Sequence, residues 1–321
     1  MMVPPTPEPR ASGALNILAA LLESRTGQQI AANRAWRIET TLKPLMRDRG
    51  IASLDELVSK ILDGRNPDLG DKVVDALLNQ ESFFYRDAVV FDMIAVAVDG
   101  LDALALGRRA RIWSAGCANG QEPLSLAMAF AEREEAGGPP CPEIVATDVS
   151  EAALARGRAG RYSQFEIQRG LPIRRMMRWF EQDGEEWVAR GDLVRRIQFK
   201  RHNLVGDPPP LGRFDVVLCR NVLLYLSQAH RAIVFERLAQ VIRPGGLLVL
   251  GAGETVIGQT RAFTPSGRFK GFYEAIGPGS AGGSIGLERR INHPHPSGAS
   301  RLPPSPIGSG TGEGEYVSTI S

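Results

Sequence analysis

The stretch RIWSAGCANGQEPLS, Arg111–Ser125, decides the fold class. A short apolar strand around Ile112 and Trp113 runs into a turn holding Gly116 and Gly120, and a helix starts at Gln121-Glu122-Pro123. Glycine lets the backbone turn sharply and come close to a ligand. Pro123 suits a first helical turn, where its missing N–H would lack a partner anyway. Strand, glycine turn and helix in this order open a doubly wound α/β sheet that binds a ligand at its carboxyl edge. The plain alternative is a tight structural turn, since many chemistries share such folds.

The turn is not G-x-G-x-x-G, and Glu122 sits where a dinucleotide's pyrophosphate would meet the helix N-terminus. A carboxylate there repels phosphate and suits a ligand with hydroxyls and a positive charge, such as S-adenosylmethionine. One strand later, Glu143–Asp148 (EIVATD) ends in an acid. Asp148 either chelates the two ribose hydroxyls or caps the helix that follows; Ser150 can take over the cap. A third strand, FDVVLCRNVLLY (Phe214–Tyr225), ends in Arg220-Asn221 and then Tyr225, again at a carboxyl edge where a site belongs. The bland reading there is a salt-bridged loop.

These segments, together with SFFYRD (Ser82–Asp87), SAGCANGQEPLSLAM (Ser114–Met128), ATD (Ala146–Asp148) and Asn203-Leu204, resemble the chemotaxis protein methyltransferases, the CheR family. The resemblance spans about residues 14–276. It implies transfer of a methyl group from S-adenosylmethionine to glutamate side chains of chemoreceptors. It also implies about seven mostly parallel strands, the last antiparallel, in a Rossmann-like class I methyltransferase fold. Gln80 and Ser82 stand where the family usually has Asn and Thr, and Gln121 replaces the first acid of an acidic pair whose second is Glu122. The site set carried over is Gln80, Ser82, Arg86, Gly116, Glu122, Asp148, Asn203, Leu204, Arg220 and Asn221 for the cofactor, with Arg86 and Tyr225 catalytic. Arg86 would meet either the cofactor's carboxylate or the acceptor's. Tyr225 would bond the acceptor or serve as a core aromatic. The competing functions are a non-catalytic S-adenosylmethionine sensor and a small-molecule methyltransferase of the same fold.

The 321 residues carry 38 Lys+Arg against 36 Asp+Glu, a balance that argues against wholesale nucleic-acid binding. Three cysteines without C-x-x-C spacing and four scattered histidines predict a reducing compartment and no metal site. No apolar run is long enough to span a bilayer and no cleavable signal opens the chain, so a cytoplasmic location and no membrane insertion are expected. A monomer is expected.

Along the chain we expect disorder over 1–13, a helical domain over 14–85, a linking helix over 86–108, the methyltransferase domain over 109–277 and a disordered tail over 278–321. A long helix is predicted over Phe83–Val98, and another over Gln29–Leu42 that Pro44 should kink or restart. On that second helix Arg34, Arg37, Lys43 and Arg47 lie off the apolar face; the arc either attracts an acidic receptor helix or is an ordinary solvated surface. An insertion over about 160–196 resembles the family's small β-subdomain, which in some members grips a receptor peptide. Here a turn is predicted at Asp183-Gly184 and β-like pieces at Glu186–Ala189 and Leu193–Ile197, separated only by Arg190-Gly191-Asp192, a hairpin too short for such a tether.

Overall fold

The structure is a computed structural model that describes residues 13–30, 36–100 and 107–276. Arg34, the N-terminal segment before Gly13 and the tail expected over 278–321 lie outside the described residues. Those described belong to one compact unit.

Four helices come first: α1 (Gly13–Thr26), α2 (Trp36–Asp48), α3 (Leu54–Leu62) and α4 (Pro67–Leu77). Their core is aliphatic, built around Leu18, Ile38, Leu42, Leu57 and Val73. Ser53 caps α3 and accepts the Glu56 N–H, while the Glu56 carboxylate reaches back to the Ala52 N–H, not to that of Ser53. The helix expected over Gln29–Leu42 is displaced. Gln28 bridges to Leu226 and the Gln29 N–H bonds the Tyr225 carbonyl, so the backbone here pairs with another part of the chain. Residues 31–35 lie outside the described residues; the described helix runs from Trp36 through Pro44 to Asp48 without a restart.

The long helix expected from Phe83 is corrected too. Residues 84–87 form a turn in which Tyr85 (φ 47°) and Asp87 (φ 60°) are left-handed, and α5 begins only at Ala88 and ends at Asp99. The local run of apolar residues reads as helix, but tertiary contacts override it.

Next come β1 (Arg111–Ala115), α6 (Gln121–Glu135), β2 (Glu143–Asp148) and α7 (Glu151–Ala159). The insertion follows: β3 (Arg161–Ser163), α8 (Gln164–Gln168), α9 (Ile173–Trp179), β4 (Phe180–Asp183), β5 (Glu186–Ala189) and α10 (Gly191–Val194). Its strands form an antiparallel sheet in the order β3-β5-β4. The hairpin is therefore β4–β5, turning at Gly184, and Leu193 lies in a helix, not in the expected strand. Arg190 to Asp192 leads from β5 into α10 and does not close the short hairpin expected between Glu186–Ala189 and Leu193–Ile197.

The chain then returns through β6 (Ile197–Arg201), β7 (Phe214–Cys219), α11 (Gln228–Val241), β8 (Ile242–Leu250), β9 (Phe263–Pro265) and β10 (Phe272–Ala275). Among the described residues seven strands make one sheet, ordered β6-β2-β1-β7-β8-β10-β9. The first five run parallel, and β10 is antiparallel to both neighbours, as expected for the last strand. β9 escaped the sequence reading. The chain leaves β1 toward β2 on one side and has β7 on the other, so a crevice opens at their carboxyl ends. At the opposite ends Arg108 grips the buried Asp215 with two bonds of 2.7 and 2.8 Å, which is structural.

Candidate active site

The crevice is a cleft of about 900 Å³ walled by the turn before α5, the glycine turn after β1, the ends of β2 and β6, and the segment after β7. Gln80, Ser82, Arg86, Gly116, Glu122, Asp148, Asn203, Leu204, Arg220, Asn221 and Tyr225 all line it. Sequence reading missed Val149, His202 and Phe83, which also line it, although each is adjacent to or within a motif already singled out.

The glycine turn is tight because two segments of the chain meet there. The Gly116 and Cys117 N–H groups both bond the Thr147 carbonyl at 2.8 and 2.9 Å. Gly120 sits at φ 89°, and a Cβ on it would come within 2.9 Å of the Gly157 Cα. Asp148 ends β2 beside this turn and accepts the Ala118 N–H at 2.8 Å and the Ser150 N–H at 3.0 Å. Ser150 itself caps α7, so Asp148 is not the cap. Burial pushes the Asp148 carboxyl above the ordinary aspartate range.

Arg220 is an internal tie. Its side chain is 2% exposed, and its guanidinium donates to Glu122 Oε2 (3.1 Å), Asp87 Oδ2 (2.6 Å) and the Arg86 carbonyl (2.9 Å). Glu122 receives the Ser114 hydroxyl as well, at 2.8 Å. Arg220 thus fastens the Ser82–Asp87 turn to α6. Arg86 is differently placed. It makes a 3.5 Å bond to the Glu81 carbonyl and stacks 5.2 Å from the Phe83 ring centroid. Its charge has no carboxylate partner within bonding distance among the described residues.

Asn203 donates its amide to the Arg25 carbonyl at 2.8 Å and accepts the Val205 N–H at 3.0 Å. It joins α1 to the cleft wall, so one amide hydrogen remains for a ligand. Asn221 is left-handed (φ 58°), with its N–H on Glu254, which also receives the Leu224 and Gly251 N–H groups. Its Oδ1 is buried and unpartnered. His202 is held beside Trp113 with Nε2 3.0 Å from the Pro208 carbonyl, and burial lowers its pKa. Cys117 and Cys219 are buried free thiols whose pKa values burial raises far above the ordinary range, which excludes them as nucleophiles.

A second groove of about 1220 Å³ adjoins the cleft and shares Gln28, Leu78, Asn79, Gln80 and Tyr225 with it. Arg37 and Thr41 of α2 line its far side, with Leu224 on the near side. Arg37, Lys43 and Arg47 are all exposed. Lys43 lies 3.9 Å from Glu39 and Arg47 lies 3.7 Å from Asp48, so much of the arc's charge is offset on the helix itself.

The family sequence model described as "CheR methyltransferase, SAM binding domain" matches residues 80–271. That range runs from Gln80 at the cleft rim to the start of β10. The chain belongs to the CheR methyltransferase family. Chemotaxis protein methyltransferase 1 of Pseudomonas aeruginosa is 36% identical over 255 residues, covering 77% of this chain and 91% of that protein. The chemotaxis protein methyltransferase of Vibrio parahaemolyticus is 35% identical over 246 residues, 75% of this chain and 89% of that protein. The cofactor of this CheR methyltransferase is S-adenosylmethionine, and the groups lining the cleft fit it: a carboxylate that accepts from hydroxyls, an unpartnered amide oxygen that accepts, and aliphatic faces at Val149 and Leu204. Among the described residues no His, Cys, Asp and Glu cluster could hold a metal, and no helix is long and apolar enough to cross a membrane.

Proposed function

We propose that this methyltransferase esterifies glutamate side chains of chemoreceptors, giving glutamate methyl esters and S-adenosylhomocysteine. The reading is supported above all by the groove between α2 and Tyr225, which opens on the cofactor cleft from the side of the helical domain. It can lead an acceptor side chain past Gln80 and Tyr225 to the cleft, with Arg37 attracting an acidic surface.

Bound S-adenosylmethionine supplies an electrophilic methyl group on a sulfonium. The residues orient and desolvate. A glutamate carboxylate, with a pKa near ~4.3, is ionised at neutral pH and needs no base. The one imidazole in the cleft wall is buried against Trp113 and Pro208, consistent with chemistry that asks for none. Asp148 would hold the ribose hydroxyls, and Asn203, Asn221 and Leu204 the remaining edges and faces, with Gln80, Ser82, Gly116 and Glu122 completing the cradle. Arg86 would take a carboxylate in the cleft, because Arg220 is already spent on Glu122 and Asp87. Tyr225, at the boundary of cleft and groove, would orient the acceptor. Alignment of this kind can supply on the order of 7–11 kcal/mol. The enzyme would act in the cytoplasm as a monomer.

The test is incubation with methyl-labelled S-adenosylmethionine and receptor-bearing membranes. Base-labile methyl on the receptor is expected. Label that survives base, or none on receptor, would overturn the reading.

A further inference from the structure

All three aromatic side chains of the turn before α5 are gripped by the insertion. Phe84 is fully buried, edge-on to Tyr162 of β3 (centroids 5.0 Å) and Phe180 of β4 (5.5 Å). The Tyr85 ring lies 4.4 Å from the Arg175 guanidinium of α9, which Glu132 of α6 fixes with bonds of 2.9 and 3.0 Å. Phe83 lies 4.5 Å from the Arg169 guanidinium, in the connection between α8 and α9. Arg169 also donates to Glu81 Oε1 at 2.6 Å, and this bond is the main reason the Glu81 carboxyl lies below the usual range. The next residue, Gly170 (φ 86°), presses its backbone onto the turn. A Cβ there would stand 2.0 Å from the Phe84 carbonyl oxygen, so only glycine fits.

Arg169 does not line the cleft, yet both residues it holds do. Phe83 carries Arg86 on its ring, and Glu81 receives Arg86 on its carbonyl. We infer that Arg169 is a positioning residue for methyl transfer: by fixing Phe83 and Glu81 it fixes the Arg86 guanidinium at the cleft rim. Arg86 is partly exposed on a long flexible stem. Free to sample rotamers, it would meet a carboxylate in the right geometry only part of the time. The inserted subdomain is in this view the base on which the Arg86 turn is built. The inference rests on the role proposed above for Arg86.

The experiment is a double-mutant cycle of Arg169→Ala with Arg86→Ala, alongside amide hydrogen exchange over residues 80–87. Arg169→Ala should slow receptor methylation roughly tenfold, the scale of one lost charge-assisted contact. It should move the same parameter, cofactor affinity or kcat, that Arg86→Ala moves. In the Arg86→Ala background it should cost nothing further. Arg169→Lys should recover part of the rate, keeping the bond to Glu81 without the planar stack on Phe83. Glu81→Gln should imitate Arg169→Ala. Exchange over 80–87 should quicken in Arg169→Ala while the β1–β2–β7 amides stay protected. Equal fold losses in both backgrounds, or unchanged exchange, would overturn the inference. If wild-type protein methylates no receptor, the proposed activity fails, and the exchange measurement still decides whether Arg169 orders the turn.

Discussion

In the proposed reading, Asp148 and Arg86 of the cleft lining divide the work between a residue that holds the cofactor and a residue that steers a carboxylate. Asp148 is pinned by the Ala118 and Ser150 N–H groups, so its carboxylate stays in place whether or not a ligand is bound. Asp148→Ala should weaken S-adenosylhomocysteine by roughly 1.5–3 kcal/mol, the worth of hydrogen bonds to a charged group. Calorimetry checks this, and unchanged affinity would remove the ribose assignment. Because burial raises its pKa, Asp148 takes up its proton at a higher pH than an ordinary aspartate. The ionised form is the better acceptor for hydroxyls, so affinity should fall on acidification and begin to do so above the usual carboxylate range. An affinity flat with pH down to that range would count against a buried carboxylate in this role. Arg86→Ala should abolish most methyl transfer, and Arg86→Lys should rescue poorly because a lysine offers no planar fork. A lysine variant turning over like wild type would reduce Arg86 to a source of charge. Both residues were legible in sequence, since each ends or begins a local pattern. The sequence allows salt bridging at Arg220 as one of two readings, but its partners were not legible. Its partners Glu122 and Asp87 lie far away in the chain and are brought together only by the sheet order.

The elements teach a related lesson about range. The β1–turn–α6 unit and the acid ending β2 follow from spacing alone, because strand, turn and helix are fixed by neighbouring residues. The Phe83–Asp87 turn does not. Its apolar run mimics helix, and contacts from distant parts of the chain, among them Tyr162, Phe180, Arg169, Arg175 and Arg220, hold it in a turn instead. The three-residue strand β3 is equally silent, since its signal is shorter than any usable window. α2 is an intermediate case. Its buried stripe of Ile38, Leu42 and Met46 is legible, but the pairing of Gln28 and Gln29 with the Leu226 and Tyr225 segment is not. Arg37 lines the groove together with Gln28 and Gln29. Arg37→Glu should therefore raise the KM for receptor and spare cofactor affinity, more than Lys43→Glu or Arg47→Glu, whose charges neighbouring acids already offset. The effect should shrink with salt, as exposed charges are screened over about 10 Å at 0.1 M. Equal KM for all variants at low salt would return the arc to an ordinary solvated face.

At the scale of the whole molecule, the helical domain reaches the cofactor site from behind. Asn203 bonds the Arg25 carbonyl, and Asp75 of α4 stands against Ser150, the cap next to Asp148. Burial, with help from nearby Asp71 and Glu151, raises the Asp75 pKa above 3.8; the bond with Ser150 and the charge of Arg201 oppose the shift only in part. The folded chain therefore binds this proton more tightly than the unfolded chain does. Its contribution to stability is full below the ordinary aspartate pKa and is lost as pH rises through the raised value, leaving a half-buried charge as a cost at neutral pH. Asp75→Asn keeps an acceptor for Ser150 and removes that charge. It should raise the unfolding temperature at pH 7, with the gain over wild type vanishing as the pH falls toward the ordinary aspartate range. The same charge also raises the pKa of Asp148. Asp75→Asn should thus let Asp148 stay ionised to lower pH and shift the acid loss of S-adenosylhomocysteine affinity downward. Thermal unfolding and calorimetry across pH test the two effects on one variant. A stabilised variant whose affinity profile is unmoved would confine Asp75 to the packing of α4. A shift in both ties the helical domain electrostatically to the cofactor's ribose.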